Sequence, residues 1–245
     1  DENGLIKANA FTTDIAIKRN NLTTIAGNIL TDGKNVNVEV KPGFGEDDTN
    51  YSVITSGSEL IKAIGTSGNY IIGNDIYLSA PVASTLATRA AAVKSTINLN
   101  GKNITVTNKT AKAFATVAAG NTLTFVGEGN VKLTSDSTAP FIYNEGKVVL
   151  NGGAFVSEAT SDIIAGDGEI FETGGSIDQD NVKTQLEALQ YIFANGGEMT
   201  LTEDIEATET LVISTTNAVV INGGEKSINS AARYGIEITA DNANV

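Results

Sequence analysis

The sequence predicts a mainly β protein: a right-handed parallel β-helix (a solenoid) with short capping helices and an N-terminal β segment. The first observation is a glycine turn phrase that recurs as LNGK (99–102), VGEG (126–129), LNGG (150–153), ETGG (172–175) and INGG (221–224). The second is its spacing, since Gly101, Gly127, Gly152 and Gly174 stand 26, 25 and 22 residues apart. Such intervals are typical of solenoid coils, in which each coil stacks its short strands on the next.

Composition is the third observation. Aromatic residues make up 6% of the 245 residues, Trp is absent and Pro occurs three times, so the core has to come from Ile, Val, Leu and Ala. β-Branched side chains pack well on a pleated surface, which favours narrow stacked coils. We therefore expect parallel strands over residues 96–178, with alternate side chains buried. The expected inward-facing residues are Ile97, Leu99, Leu123, Phe125, Val148, Leu150 and Phe171.

The chain divides into four segments. Residues 1–45 form a β segment in which Asp14–Ile17 and Asn35–Val40 alternate apolar and polar residues, as half-buried strands do. Residues 46–50 form a polar linker after the turn-forming Pro42-Gly43 pair. Residues 51–180 hold a helix followed by β-helix coils, and residues 181–245 hold a second helix with further coils, a series that ends after few repeats.

An internal repeat supports the last two segments. A shift of 129 positions places Leu60 on Leu189, Gly68 on Gly197 and Asp75 on Asp204. In the second copy the apolar residues have helical spacing, which predicts a helix over 183–195 that buries Leu186, Leu189 and Phe193 against the end or flank of a coil stack. Such a helix would cover strand edges that an open solenoid end exposes.

Missing residue types exclude several functions. Without Cys there is no disulfide and no thiolate metal site, and without His there is no Ser-His-Asp or Cys-His catalysis and no zinc-hydrolase site. The sequence contains no apolar run of about 18 residues, so it predicts no membrane span. The net charge is −13, and residues 148–225 hold fourteen acidic residues against one base, Lys183. Such a surface repels polyanions, so nucleic acid is not an expected partner.

Two stretches resemble known families. Residues 14–45, with "IKRNNLTTIAGNILT", "NVNVEV" and "PGF", resemble the C-terminal end of fimbrillin-like β-sandwich domains of Bacteroides-type surface proteins. Residues 51–245, with "GGEMTLTEDIEATETLVI" and "INLNGKNI", resemble pectate-lyase-like right-handed β-helix domains. The resemblance implies an extracellular or outer-membrane surface protein. A first residue other than Met fits a mature secreted chain without its signal peptide, or a trimmed chain.

Many β-helix proteins of that kind cleave polysaccharides, so the resemblance makes a carbohydrate-cleaving site a candidate. The lyases use calcium with an Arg or Lys base, and the hydrolases use paired carboxylates. Arg19, Arg89 and Arg233 do not follow a carboxylate cluster at one-coil spacing. The candidates for a calcium site are Asp162, Asp167 and Glu169, and a second acidic run is 46–48. No catalytic residue and no cofactor-binding residue is assigned.

Sugar rings commonly stack on aromatic side chains, and the candidates here are Tyr51, Tyr70, Tyr77, Tyr143, Tyr191 and Tyr234. The leading functional prediction is a non-catalytic cell-surface adhesion module that presents a rigid β-helix to glycans or to surface proteins. The alternative is a carbohydrate-active enzyme, a polysaccharide lyase or glycosidase, that uses carboxylates on the β-helix face. Three or more carboxylates, or carboxylates with an Arg, converging in one groove would favour the enzyme.

Overall fold

A computed structural model describes residues 21–27, 36–42, 51–79 and 92–240. The chain forms two compact units, residues 1–50 and 51–245. In the first, β1 (Asn21–Gly27) pairs antiparallel with β2 (Val36–Pro42). β2 confirms the strand predicted at 35–40. β1 lies between the two strands that the sequence predicts, and the predicted strand Asp14–Ile17 lies outside the described residues.

The second unit is a parallel β-solenoid of about six turns, which confirms the predicted fold class. Its strands in the first stack of coils are β3 (Tyr51–Ile54), β4 (Gly68–Ile72), β5 (Ile76–Leu78), β6 (Lys94–Asn98), β7 (Lys102–Val106), β8 (Ala115–Val117), β9 (Thr122–Val126), β10 (Gly129–Leu133), β11 (Ile142–Asn144), β12 (Lys147–Asn151), β13 (Ala154–Ser157), β14 (Ile164–Ala165), β15 (Glu169–Glu172) and β16 (Ser176–Ile177).

These strands form three parallel sheets along the stack. The long sheet has the order β15-β12-β9-β6-β4-β3, the middle sheet β16-β13-β10-β7-β5 and the short sheet β14-β11-β8. A second stack of two coils contains β17 (Gly197–Thr200), β18 (Ile205–Ala207), β19 (Leu211–Ile213), β20 (Val219–Asn222), β21 (Ile228–Ser230) and β22 (Ile236–Ile238). Within it β17 pairs with β20, β18 with β21 and β19 with β22, all parallel.

Alternation along the strands builds the interior of the first stack. The side chains that are buried in one apolar cluster as predicted are Ile97, Leu99, Leu123, Phe125, Val148 and Leu150. Phe125 and Phe155 meet edge to face in this cluster, with ring centroids 5.0 Å apart. The core of the first stack is therefore the apolar column that the sequence pattern predicts.

Phe171 corrects the prediction, because it faces outward. Ile170 pairs with inward-facing Val148, and Phe171 pairs with Val149 on the opposite face of the sheet. Phe171 and Val149 belong to a second apolar cluster, together with a helix that covers this part of the sheet. Because both faces of the strand are covered there, both carry apolar residues, and alternation alone does not identify the inner one.

Two helices begin with the same capping arrangement. In α1 (Gly57–Ile64) the Ser56 side chain accepts from the Glu59 N–H and the Glu59 carboxylate accepts from the Ser56 N–H. In α2 (Gln185–Asn195) Thr184 and Glu187 make the same reciprocal pair. Because Thr184 is the N-cap, α2 begins two residues after the predicted start at residue 183.

The internal repeat has a structural counterpart. Each helix leads into a strand that begins at a glycine with positive φ, Gly68 in β4 and Gly197 in β17. Seven residues after each glycine, an aspartate accepts a hydrogen bond from the next coil: Asp75 from the backbone N–H of Asn103 at 2.9 Å, and Asp204 from that of Ser227 at 2.8 Å. Both copies therefore use an aspartate to hold the next coil in place.

α2 joins the two stacks. Leu189 and Phe193 are buried as predicted, whereas Leu186 is only half-buried. The helix packs against β17, β18 and β19 on one side and against Val149 and Phe171 of the long sheet on the other. The second stack therefore lies on the flank of the first.

The close stacking of the coils predicts that two glycine substitutions differ in their cost to stability. Gly166 has φ +111°, and a Cβ there would lie 2.2 Å from the Asn144 carbonyl oxygen, whereas at Gly120, with φ +81°, it would meet nothing within 4 Å. Both Ala substitutions strain the backbone by about 1 to 2 kcal/mol. We expect Gly166→Ala to cost about 1 to 3 kcal/mol more than Gly120→Ala in urea unfolding, because it alone pushes coils apart. Equal losses would contradict this packing.

Candidate functional site

An open groove runs on the outer face of the long sheet, where the C-terminal end of α2 meets it. We call it the flank groove; it encloses about 270 Å³. Its floor comes from the first residues of β6, β9 and β12, and its wall comes from the end of α2. The lining residues are Lys94, Ser95, Thr96, Thr122, Thr124, Lys147, Tyr191, Asn195 and Gly196.

Strand alternation places hydroxyl groups on the floor. Leu123 and Phe125 point into the core, so Thr122 and Thr124 between them point outward. On β6, Ser95 is buried and its hydroxyl donates to the Ala63 carbonyl oxygen at 2.7 Å, which leaves the side chain of Thr96 outward. The floor is therefore a half-buried threonine surface.

Strand register aligns two lysines on this floor. Lys94 pairs with Thr122 of the next strand, and Thr122 pairs with Lys147 of the one after. Lys94 is exposed, and no described acidic residue forms an ion pair with it. The Lys147 ammonium lies 2.9 Å from the Glu169 carboxylate. Lys94 thus brings to the groove a positive charge that no described carboxylate pairs with, although the chain has a net charge of −13.

Tyr191 forms the aromatic wall. Its ring stacks on Phe171 with centroids 4.5 Å apart and an interplanar angle of 21°. The Lys147 Nζ lies 5.5 Å from the centroid of the Tyr191 ring and 5.8 Å from that of Phe171, within cation–π distance. Burial raises the pKa of the Tyr191 phenol, and the negative charge of Glu169 raises it further. At neutral pH the phenol keeps its proton and can donate a hydrogen bond.

Hydrogen bonds fix the helix end that completes the wall. The Asn195 side-chain amide donates to the Tyr191 carbonyl oxygen at 2.9 Å, and the Asn217 amide donates to the Asn195 carbonyl oxygen at 2.9 Å. Gly196 ends the helix with φ +82°, and its N–H donates to the Ile192 carbonyl oxygen at 2.8 Å. The end of the helix that carries Tyr191 is thus held in place by hydrogen bonds.

The three calcium candidates do not come together. Asp162 lies in the connection from β13 to β14, Asp167 in the connection from β14 to β15, and Glu169 begins β15, where it pairs with Lys147. Among the residues that the structure describes, no three acidic side chains are grouped as metal ligands. Arg19, Arg89 and the acidic run 46–48 lie outside those residues. The guanidinium carbon of Arg233 lies 5.4 Å from the centroid of the Tyr234 ring. The calcium hypothesis stays a prediction.

The structure distinguishes among the six tyrosines. Tyr191 lines the flank groove, and Tyr143 lines a separate pocket. Tyr70 packs on the first core and donates to the Thr66 carbonyl oxygen at 3.1 Å, while Tyr77 and Tyr234 are exposed outside both cavities. Tyr51 is half-buried at the start of β3 and lines neither cavity. Sequence reasoning did not identify the groove lysines and threonines. Their signal was the alternation of Thr122 and Thr124 with Leu123 and Phe125.

The comparisons with known proteins supply no activity. Residues 1–107 match the profile of a family of unknown function, DUF6562. No curated protein and no solved structure matches the chain. The matched part includes Lys94 and Thr96 of the groove and ends before β9. Neither α1 nor α2 has the length and apolar character of a membrane-spanning helix.

Proposed function

We propose that this chain is a non-catalytic binding module of the cell surface that holds glycans in the flank groove. The observation that carries the proposal is the combination of an aromatic wall, Tyr191, with a floor of threonine hydroxyls and two lysines. Sugars present apolar ring faces and many hydroxyl groups, so their binding uses aromatic contacts and hydrogen-bond donors together. The extracellular or outer-membrane location belongs to the same proposal and is supported by the family resemblances of the sequence.

The scaffold suits an extended ligand. Strands of a sheet are about 4.8 Å apart, so the Cα atoms of Lys94 and Lys147, two strands apart, are separated by about 9.6 Å along the coil axis. That length is comparable to a disaccharide, and a glycan lying along the axis can meet one strand after another. Rigid coils keep these groups in place, which lowers the entropy lost on binding. A surface protein is the other partner that we predict for this module.

Catalysis would need different groups. Glycoside cleavage needs a positioned acid and base, and the residues that line the flank groove include no carboxylate. The nearby Glu169 carboxylate is paired with Lys147. These features favour binding over the alternative of a lyase or glycosidase.

The experiment is a broad glycan panel at neutral pH with millimolar calcium, read for binding and for new reducing ends or unsaturated uronates. We expect binding without cleavage, and an affinity loss of about tenfold in Tyr191→Ala because the aromatic contact is lost. Lys94→Gln removes an exposed charge without touching the core and should also weaken binding. Tyr77→Ala is the matched control, since Tyr77 is 75% exposed on the middle sheet.

Two results would overturn the proposal. One is wild-type affinity in both Tyr191→Ala and Lys94→Gln, with folding of both variants verified by thermal melts. The other is turnover of a panel glycan, above all turnover that Glu169→Gln abolishes, because that would make the groove an active site.

A further inference from the structure

A second pocket lies on another face of the first stack and shares no residue with the flank groove. It encloses about 350 Å³ between the connection from β7 to β8 and the start of β11, at the outer face of the short sheet. This volume is in the range of pockets that hold small ligands. The lining residues are Ala111, Lys112, Ala113, Thr116, Pro140 and Tyr143.

One buried side chain holds both walls of this pocket. Asn108 is fully buried, and its amide donates to the carbonyl oxygens of Lys112 and Pro140, each at 2.8 Å. The Asn108 Oδ1 accepts from the Thr110 hydroxyl at 2.7 Å, and the backbone N–H of Asn108 donates to the Ser137 hydroxyl at 2.9 Å. Because Lys112 and Pro140 stand on different connections, Asn108 fixes the width of the pocket and makes it preformed.

The aromatic side of the pocket is accessible. Tyr143 points outward from β11, between Thr116 on β8 and Ala165 on β14. It is 40% exposed, and both strand neighbours are small. A ring can therefore stack on Tyr143 while the Thr116 hydroxyl offers a hydrogen bond.

Charge narrows the choice of ligand. Alanine and proline side chains supply apolar walls, and Lys112 is the single charged residue of the lining. Lys112 is exposed, and no described carboxylate forms an ion pair with it. A ligand that satisfies this pocket has a ring with an apolar face and carries a negative charge beside it.

We propose that this pocket is a second, independent binding site for a carboxylate-bearing sugar unit. Tyr143 stacks on the ring, Thr116 binds a hydroxyl and Lys112 binds the carboxylate. Asn108 is a positioning residue, because it holds the Lys112 and Pro140 segments. The site does not depend on the flank groove, and together the two sites would let one rigid molecule engage glycans on two faces.

The test uses the whole chain and two probes, D-glucuronic acid and D-glucose, titrated by NMR chemical-shift mapping. Glucuronic acid should shift the resonances of Thr116 and Tyr143 and bind more tightly than glucose. Tyr143→Ala should abolish the shifts of both probes at this site. Lys112→Gln should weaken the binding of glucuronic acid by about tenfold, the contribution of a hydrogen bond to a charged group. It should leave the affinity for glucose unchanged.

The controls separate this inference from the proposed function. Tyr77→Ala and Tyr191→Ala should leave the Thr116 shifts unchanged, because neither residue lines this pocket. Absence of shifts at Thr116 and Tyr143, equal affinities for the two probes, or wild-type binding by Tyr143→Ala would overturn the inference. Shifts that Tyr191→Ala abolishes and Tyr143→Ala preserves would also overturn it, while supporting binding in the flank groove.

Discussion

Replacing Phe193 with alanine should lower the free energy of unfolding by about 3 to 5 kcal/mol, the usual cost of removing a buried phenylalanine ring. Phe193 is 2% exposed and lies in the second apolar cluster with Leu189, Met199 and Leu211. The Phe193 carbonyl oxygen also accepts from the Ser214 N–H at 3.0 Å, so the loop after β19 rests on the same turn of helix. The cavity left by the ring would lie where α2 packs against the two coils of the second stack, and the neighbouring backbone could not readily close it.

Urea unfolding of the two proteins measures this difference. The matched control is Val212→Ala on β19, whose side chain points outward and is 41% exposed; it should change stability by about 0.5 kcal/mol or less. A loss under about 1 kcal/mol for Phe193→Ala would mean that α2 is peripheral to the second stack.

Phe171→Ala should also lower the free energy of unfolding by about 3 to 5 kcal/mol, through the contact between the long sheet and α2. Phe171 is buried between the long sheet and α2, against Val149 and the Tyr191 ring. Its removal loosens the contact between the two stacks, and it also takes away the surface on which Tyr191 rests. We therefore expect weaker glycan binding in the flank groove together with the loss of stability.

Hydrogen exchange identifies where the loss falls. In Phe171→Ala the amides of Met199 and Leu201 should exchange faster, because β17 follows the loosened helix, while those of Leu123 and Phe125 should keep their protection. Val156→Ala, on the exposed face of the middle sheet, is the control and should change neither set. Equal acceleration in both stacks would contradict the separation of the two apolar clusters.

The fold could be predicted because its signals are local. Glycine turns recur once per coil, and the alternation around Leu123 and Phe125 or Val148 and Leu150 marks the buried face. Prediction failed at Phe171 because α2 covers the outer face there, and the covering element is distant in sequence. At β1 the reason is different and local, since residues 21–27 have no strict alternation to separate them from a connection.

The groove was harder to predict than the coils. Lys94 and Lys147 are 53 positions apart in the sequence and become neighbours across Thr122 only through the register of three strands. Tyr191 reaches them because α2 docks on the sheet, and the sequence alone does not distinguish it from the other five tyrosines. The acidic residues 162, 167 and 169 come nearest to a carboxylate cluster in the sequence, although they lack the spacing of a calcium loop. The coil places the first two on different connections and pairs the third with Lys147.

The most direct test of a binding module built on the flank groove is a crystal structure of the chain with the tightest ligand from the glycan panel. We expect an intact glycan along the coil axis, with a sugar ring against Tyr191 and oxygen atoms within hydrogen-bond distance of Lys94 and Thr122. A glycan bound only outside the flank groove, or a shortened product in the groove, would contradict this expectation.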